Sequence, residues 1–279
     1  MHTFETPSPV HLKVQLSQGL INVIGRDTTT TTVELEALHG DSAAQELIDN
    51  ARVEQRGDNI VVEVPKAKGG LFRSRGEIRA TITVPTGSHA KLETSSADIK
   101  TDGELGDLNV ASGSGDVELD VVASAKVRTG SGDIAANTVH GSCDIKCGSA
   151  DVAIGMIGGS SDVIAGSGDV TLGQLGGVLK IKTGSGDIVV KQAGDGIDAL
   201  AGSGDVLVRR VEHGRLKAKT GSGDITIGVA DGTAAYLDIS TVTGDVTSSL
   251  DASEAPSEDD RTVELIIQSG TGDVVLQRA

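Results

Sequence analysis

Along most of the chain, apolar and polar side chains alternate with period two, stop at a glycine-rich corner, and then resume. The segment LKIKTGSGDIVV at 179–190 shows the unit. Leu179, Ile181 and Thr183 fall on one side of an extended stretch, Gly-Ser-Gly-Asp follows, and Ile188 and Val190 return to the same side. Alternation of this kind predicts two short strands whose inward residues share one interior.

The unit recurs. Aligned on the residue that closes the corner, the copies place Asp98, Asp116, Asp133, Asp151, Asp169, Asp187, Asp205, Asp224, Asp245 and Asp273 in one column. Successive spacings are 18, 17, 18, 18, 18, 18, 19, 21 and 28, so a period near 18 holds through most of the array. Eight and six residues before the aspartate stand mostly apolar pairs, among them Leu108 and Val110, Leu216 and Ala218, Leu237 and Ile239, and Leu265 and Ile267. Small residues fill the position four before it, and a further apolar residue often follows six after it. Lys180, Lys182, Lys217 and Lys219 take the outward positions between.

An 18-residue unit cannot cover its own apolar face, whereas stacked copies can, with their strands paired in register ~4.8 Å apart. The predicted fold is therefore all-β, a single-chain parallel β-solenoid with one coil per repeat. LKVQLSQGLINV at 12–23 superposes on the same plan, with Leu12, Val14, Leu16, Ile21 and Val23 inward and Leu20 where the aspartate would stand.

The remaining segments break the period. TTVELEAL reads as a strand, and a short helix is expected near 41–52 with Asp41 as N-cap and Ala44, Leu47, Ile48 and Ala51 on its apolar stripe. VEQRGDNIVVEV reads as a hairpin and GEIRATITVP as another strand. Residues 1–90 are expected to form a capping region and 91–279 the repeat array. Near 250–262 the acidic DASEAPSEDD interrupts the spacing as an extruded loop, and the final GDVVLQRA is expected to leave an open pairing edge.

Composition sharpens this picture. Thirty-eight glycines, no tryptophan, one tyrosine and two phenylalanines leave Val, Ile, Leu and Ala to build the interior. A net charge of -16 opposes binding to nucleic acid or anionic membrane, and suits solubility, a cation or a basic partner. The first residues carry no basic-then-apolar leader and nothing approaches a membrane span, so the protein is expected in a bacterial cytoplasm.

The repeated GSGDV and GSGDI units, each preceded by an alternating strand, resemble the DUF4097 family of adhesin-like β-strand repeat proteins, from VHLKVQLSQG through GTGDVV. The resemblance implies a β-helix, right-handed in related adhesin-like head domains, and little about activity. Many relatives carry a membrane segment or signal that is not seen here.

The aspartate column is the first candidate site. Carboxylates ~5 Å apart repel by roughly 1 kcal/mol per pair in a water-like dielectric. They need either hydrogen bonds from their own turn N–H groups or cations. Asp116, Asp133, Asp151, Asp169, Asp187, Asp205 and Asp224 are the Ca²⁺ candidates, although their spacing departs from the nine-residue calcium β-roll repeat.

A polysaccharide-acting enzyme would want aromatic platforms and carboxylates in opposed environments, and the chain offers neither. His2, His11, His39, His89, His140 and His213 are scattered without metal spacing. Cys143 and Cys147 fall on one strand ~13 Å apart, as small core residues rather than a disulfide. Arg56-Gly57-Asp58 is a hairpin tip. The expected role is a non-enzymatic scaffold or adhesin-like surface, engaging a protein partner or itself through solenoid faces or the C-terminal edge.

Overall fold

The structure, a computed structural model, describes residues 1–38, 42–66, 76–250 and 261–279. It divides into two compact units, Met1–His140 and Gly141–Ala279. Both are built as parallel β-solenoid, as the period requires. Among the described residues no helix is long and apolar enough to cross a membrane.

In the second unit one sheet is made by Cys143–Ser149, Ser161–Ser167, Val178–Ser185, Gly196–Ser203 and Gly214–Ser222, each parallel to the next. The other is made by Val152–Ile157, Val170–Leu175, Ile188–Gln192, Val206–Val211 and Ile225–Val229. Register follows the repeat. Ile145, Val163, Ile181, Ala199 and Ala218 face one another in a single buried column, and Val152, Val170, Ile188, Val206 and Ile225 in another. Each buried Val, Leu or Ile contributes roughly 1.5–3 kcal/mol, and only a neighbouring coil makes that burial complete.

The coil of Leu12 to Val23 has the predicted plan. Its inward residues are buried, and Leu20 lies opposite Asp98 in the aspartate column. It is not, however, the end of its stack. Asn59–Glu63 and Ile78–Pro85 form another coil on its outer side, while His89–Thr94 and Asp98–Asp102 lie on its inner side. Beyond that outer coil the chain turns antiparallel. Arg52–Arg56 pairs with Asn59–Glu63, and Thr30–Ala37 runs between Ile78–Pro85 and His2–Glu5. Ser42–Asp49 forms the expected helix, with Ala44 buried. Asp41 and the segment DASEAPSEDD lie outside the described residues.

The opposite terminus also departs from chain order, and here one expectation is corrected. The final strand Val274–Arg278 is not an open edge, because it pairs on one side with Ile225–Val229 and on the other with Val246–Ser248. Likewise Arg261–Thr271 lies between Gly214–Ser222 and Thr233–Thr243. The last coil in sequence has slipped inside the one before it. Consequently Leu237, expected in the core, is 47% exposed, whereas its column mates Leu216 and Leu265 are fully buried.

One interior position carries an unmet cost. Thr183 is buried between Ala165 and Ala201, and among the described residues its hydroxyl has no hydrogen-bond partner. Thr220 in the same column donates its hydroxyl to the Gly204 carbonyl at 3.1 Å. Burying an unsatisfied hydroxyl costs about 1–3 kcal/mol, and valine has nearly the same shape. Thermal melts should therefore show Thr183→Val raising the midpoint and Thr220→Val lowering it. A Thr183→Val midpoint at or below the parent's would contradict this account.

Candidate functional site

The aspartate corners form a ladder, but not in the expected way. Eight of the ten carboxylates reach across to the next coil. In the second unit Asp151 Oδ1 accepts from the Asp169 N–H at 2.8 Å, Asp169 Oδ1 from Asp187 at 2.8 Å, and Asp187 Oδ1 from Asp205 at 2.9 Å. Asp205 accepts from Asp224 at 2.8 Å, Asp224 from Asp273 at 2.8 Å, and Asp273 from Asp245 at 2.9 Å. In the first unit Asp98 accepts from Asp116, and Asp116 from Asp133, each at 3.0 Å.

A second bond runs the other way at every step. The N–H of the residue after one aspartate donates to the main-chain carbonyl of the next, as in Val170 to Asp187, Ile188 to Asp205 and Val206 to Asp224 at 2.8–2.9 Å. The corner is thus fastened in both directions. Where glycine precedes the aspartate there is no room for a side chain, although Ala97 and Ala150 take that place before Asp98 and Asp151. Gly186 has φ +138°, and a Cβ there would lie 2.1 Å from the Gly168 carbonyl oxygen.

This bonding offsets the repulsion between neighbouring carboxylates, since each meets a backbone dipole before it meets the next charge. Among the described residues no group of three or more His, Cys, Asp and Glu side chains converges as a metal site would require.

The small residues four before the aspartate support the turn in some coils. The Ser112 and Thr129 hydroxyls accept from the Gly115 and Gly132 N–H groups at 3.0 and 3.1 Å. Cys147 occupies that column and Cys143 the one four residues earlier, both buried as free thiols. Burial pushes the Cys143 thiol up to about 12, so it stays protonated and unreactive at neutral pH.

One arrangement was not found by reading spacings. His11 and His89, 78 positions apart, stack with ring centroids 5.0 Å apart and planes at 16°. The pairing of His11–Leu16 with His89–Thr94 brings them together, and the likeness of HLKVQL to HAKLET was the available signal. His89 Nδ1 accepts the Asp107 N–H at 2.9 Å, which leaves the ring proton on Nε2. The Arg56-Gly57-Asp58 tip joins Arg52–Arg56 to Asn59–Glu63 as expected, with Gly57 at φ +60°.

A groove of about 570 Å³ in the first unit is lined by Gln15, Arg52, Lys66, Glu63 and Glu93 among others. Most of its charges are already engaged. Lys13 pairs with Glu63 at 2.7 Å, Arg52 with Glu63 at 3.3 Å, and Lys91 with Glu93 at 2.6 Å. These partners hold the Glu63 and Glu93 carboxyls below the usual carboxylate range.

The outward face of the second unit is different. Lys146, Ile164, Lys182, Leu200 and Lys219 stand opposite one another in one row, a cation alternating with an aliphatic side chain at each coil. Ile164 and Leu200 are 38% and 42% exposed, and the three lysines form no ion pair among the described residues.

Against known proteins, the Toastrack DUF4097 family model matches residues 8–208 and 174–277. Among solved structures the chain is similar to one described as a "putative adhesin" from Bacteroides fragilis, at 13% identity and TM-score 0.46, covering 99% of this chain and 95% of that one. It is also similar to a "putative adhesin" from Parabacteroides distasonis at 15% identity and TM-score 0.45, covering 98% and 95%. A "putative lipid binding protein" from the same species matches at 10% identity and TM-score 0.42, covering 98% and 95%. A search of curated proteins finds no match.

The ladder makes a sharp prediction. Asp187→Ala removes the acceptor facing the Asp205 N–H and should cost about 1 kcal/mol in chemical denaturation, whereas Asp187→Asn keeps an acceptor and should cost less. Melts of the parent in Ca²⁺ and in EDTA should coincide, because a ligand of the folded state alone would raise the midpoint.

Acid should act elsewhere. Hydrogen bonds from the Asn137 amide and the Gly103 N–H hold the Asp120 carboxyl below its usual range. Its contribution is therefore present above the unfolded carboxyl value of about 3.9 and is lost as pH falls through the lower folded value. Asn137→Ala should reduce stability at pH 7 more than at pH 2 in parallel urea titrations.

Proposed function

The chain belongs to the Toastrack DUF4097 family, and we propose that it is a non-enzymatic binding scaffold which presents a flat β-solenoid face to a protein partner. The row of Lys146, Ile164, Lys182, Leu200 and Lys219 carries this reading. Its side chains are held in fixed register by the strands beneath, so equivalent groups repeat about every 10 Å, two coils apart. Little backbone ordering entropy is left to lose on binding, which favours a face of this kind as a docking surface.

The chemistry of the row selects the partner. Exposed aliphatics flanked by unpaired lysines suit a surface that offers acidic groups around apolar ones. The excess of acid over base in the whole chain, 40 residues against 24, keeps such partners from settling indiscriminately over the molecule.

A non-enzymatic role also agrees with the arrangement of the carboxylates. The ladder repeats one environment at every step, whereas acid–base catalysis needs two groups whose surroundings push them apart. With one tyrosine and two phenylalanines the chain has little to stack on a sugar ring.

The test is capture of partners from the source organism by the parent chain and by a variant carrying Lys146→Glu, Lys182→Glu and Lys219→Glu. All three side chains point to solvent, so the melting midpoint should stay unchanged. The parent should retain partners that the variant loses. Identical capture by both would remove this face from the function.

A further inference from the structure

The second unit ends in a coil whose interior is cut open. Thr233–Thr243 pairs along one edge with Arg261–Thr271, and Val246–Ser248 with Val274–Arg278. Among the described residues their other edges are unpaired. Leu237 and Val246 occupy columns that are fully buried one coil deeper, at Leu265 and Val274, yet they are 47% and 49% exposed. Tyr236 at 57% and Val242 at 84% stand beside them. Half of the eight large apolar side chains exposed on the described surface lie on this one coil.

An eleven-residue edge with a single charge, Asp238, is the kind that natural sheets avoid leaving bare. The antiparallel strand Arg52–Arg56 of the first unit is protected in the usual way. Glu54 on that strand pairs with both Arg52 and Arg56, and Arg52 also reaches Glu63.

We propose that two copies of the chain join through this open coil, Thr233–Thr243 of one running antiparallel to the same strand of the other about a two-fold axis at Ile239. The occupant must supply unpaired backbone groups and apolar side chains in the same columns, and the same end of a second copy supplies both. Inward residues must face inward residues, which limits the registers to those displaced by even steps.

Centring on Asp238 would set two carboxylates opposite each other. Centring on Ile239 sets Asp238 against Ser240, Leu237 against Thr241, and Tyr236 against Val242, and so covers the two most exposed apolar side chains of the strand. Because the edge meets itself, association closes at two copies instead of growing into a fibre. Because each copy carries a charge of -16, salt should strengthen it by screening their mutual repulsion. This inference does not depend on the lysine face.

Sedimentation equilibrium of the full chain over a range of concentrations, at low and high salt, tests it. The expected result is a monomer–dimer equilibrium that salt tightens. Ser240→Asp places a carboxylate opposite Asp238 twice over by symmetry and should weaken the dimer about tenfold. Ser240→Lys should tighten it, and Val242→Glu should weaken it, with unchanged circular dichroism in each case. A strictly monomeric parent, species larger than two, or a dimer indifferent to both Ser240 variants would overturn the proposal.

Discussion

Everything in this fold rests on one requirement, that each coil offer its neighbour the same backbone donors and acceptors at the same corner. Asp187 meets it in both directions, taking the Asp205 N–H on its carboxylate, while its carbonyl takes the Val170 N–H. A single such bond is worth only about 1 kcal/mol. Repeated at every step, it fixes where each coil's corner lies, so that the longer segments ending at Asp245 and Asp273 still bring their aspartates into the ladder. The glycine before it is a consequence rather than a separate feature, since a Cβ at Gly186 would meet the backbone of the coil below.

The same locking explains why the chemistry of this protein resides in rows and not in pockets. Strands held in register place side chains of neighbouring coils ~4.8 Å apart, so any residue type written once per repeat becomes a stripe. The aspartates become a self-satisfied stripe, and Lys146, Lys182 and Lys219 become an unsatisfied one with Ile164 and Leu200 between. Where side chains converge in the groove near Arg52 and Glu63, their charges largely neutralise one another.

Much of the fold was legible because period two states which way each side chain points, and period 18 states which residues share a column. Leu20 in the place of the repeat's aspartate and the inward Cys143 and Cys147 follow from that alone. What the pattern does not encode is the order of coils. ELIIQS at 264–269 and YLDIST at 236–241 present nearly the same inward residues, and either could lie outermost. The exposure of Leu237 was therefore invisible from spacing, as was the coil formed by Asn59–Glu63 and Ile78–Pro85. The stacking of His11 on His89 was hidden because coils adjacent in space are there separated by a long excursion of the chain. The carboxylate partners were misread for a related reason, since a hydrogen bond within a turn is suggested by local sequence and one between coils is not.

The inversion at the far end of the second unit bears on how the molecule is made. Thr233–Ser248 leaves the ribosome before Arg261–Arg278, yet docks only onto strands that the later segment supplies. A growing chain can add coils one upon another as far as Ile225–Val229 and must then wait. Its apolar end stays open until residues 261–278 have been synthesised and threaded beneath the segment that preceded them. For that interval the nascent protein depends on chaperones or on speed, and a stalled translation at this point would release a sticky, half-finished stack.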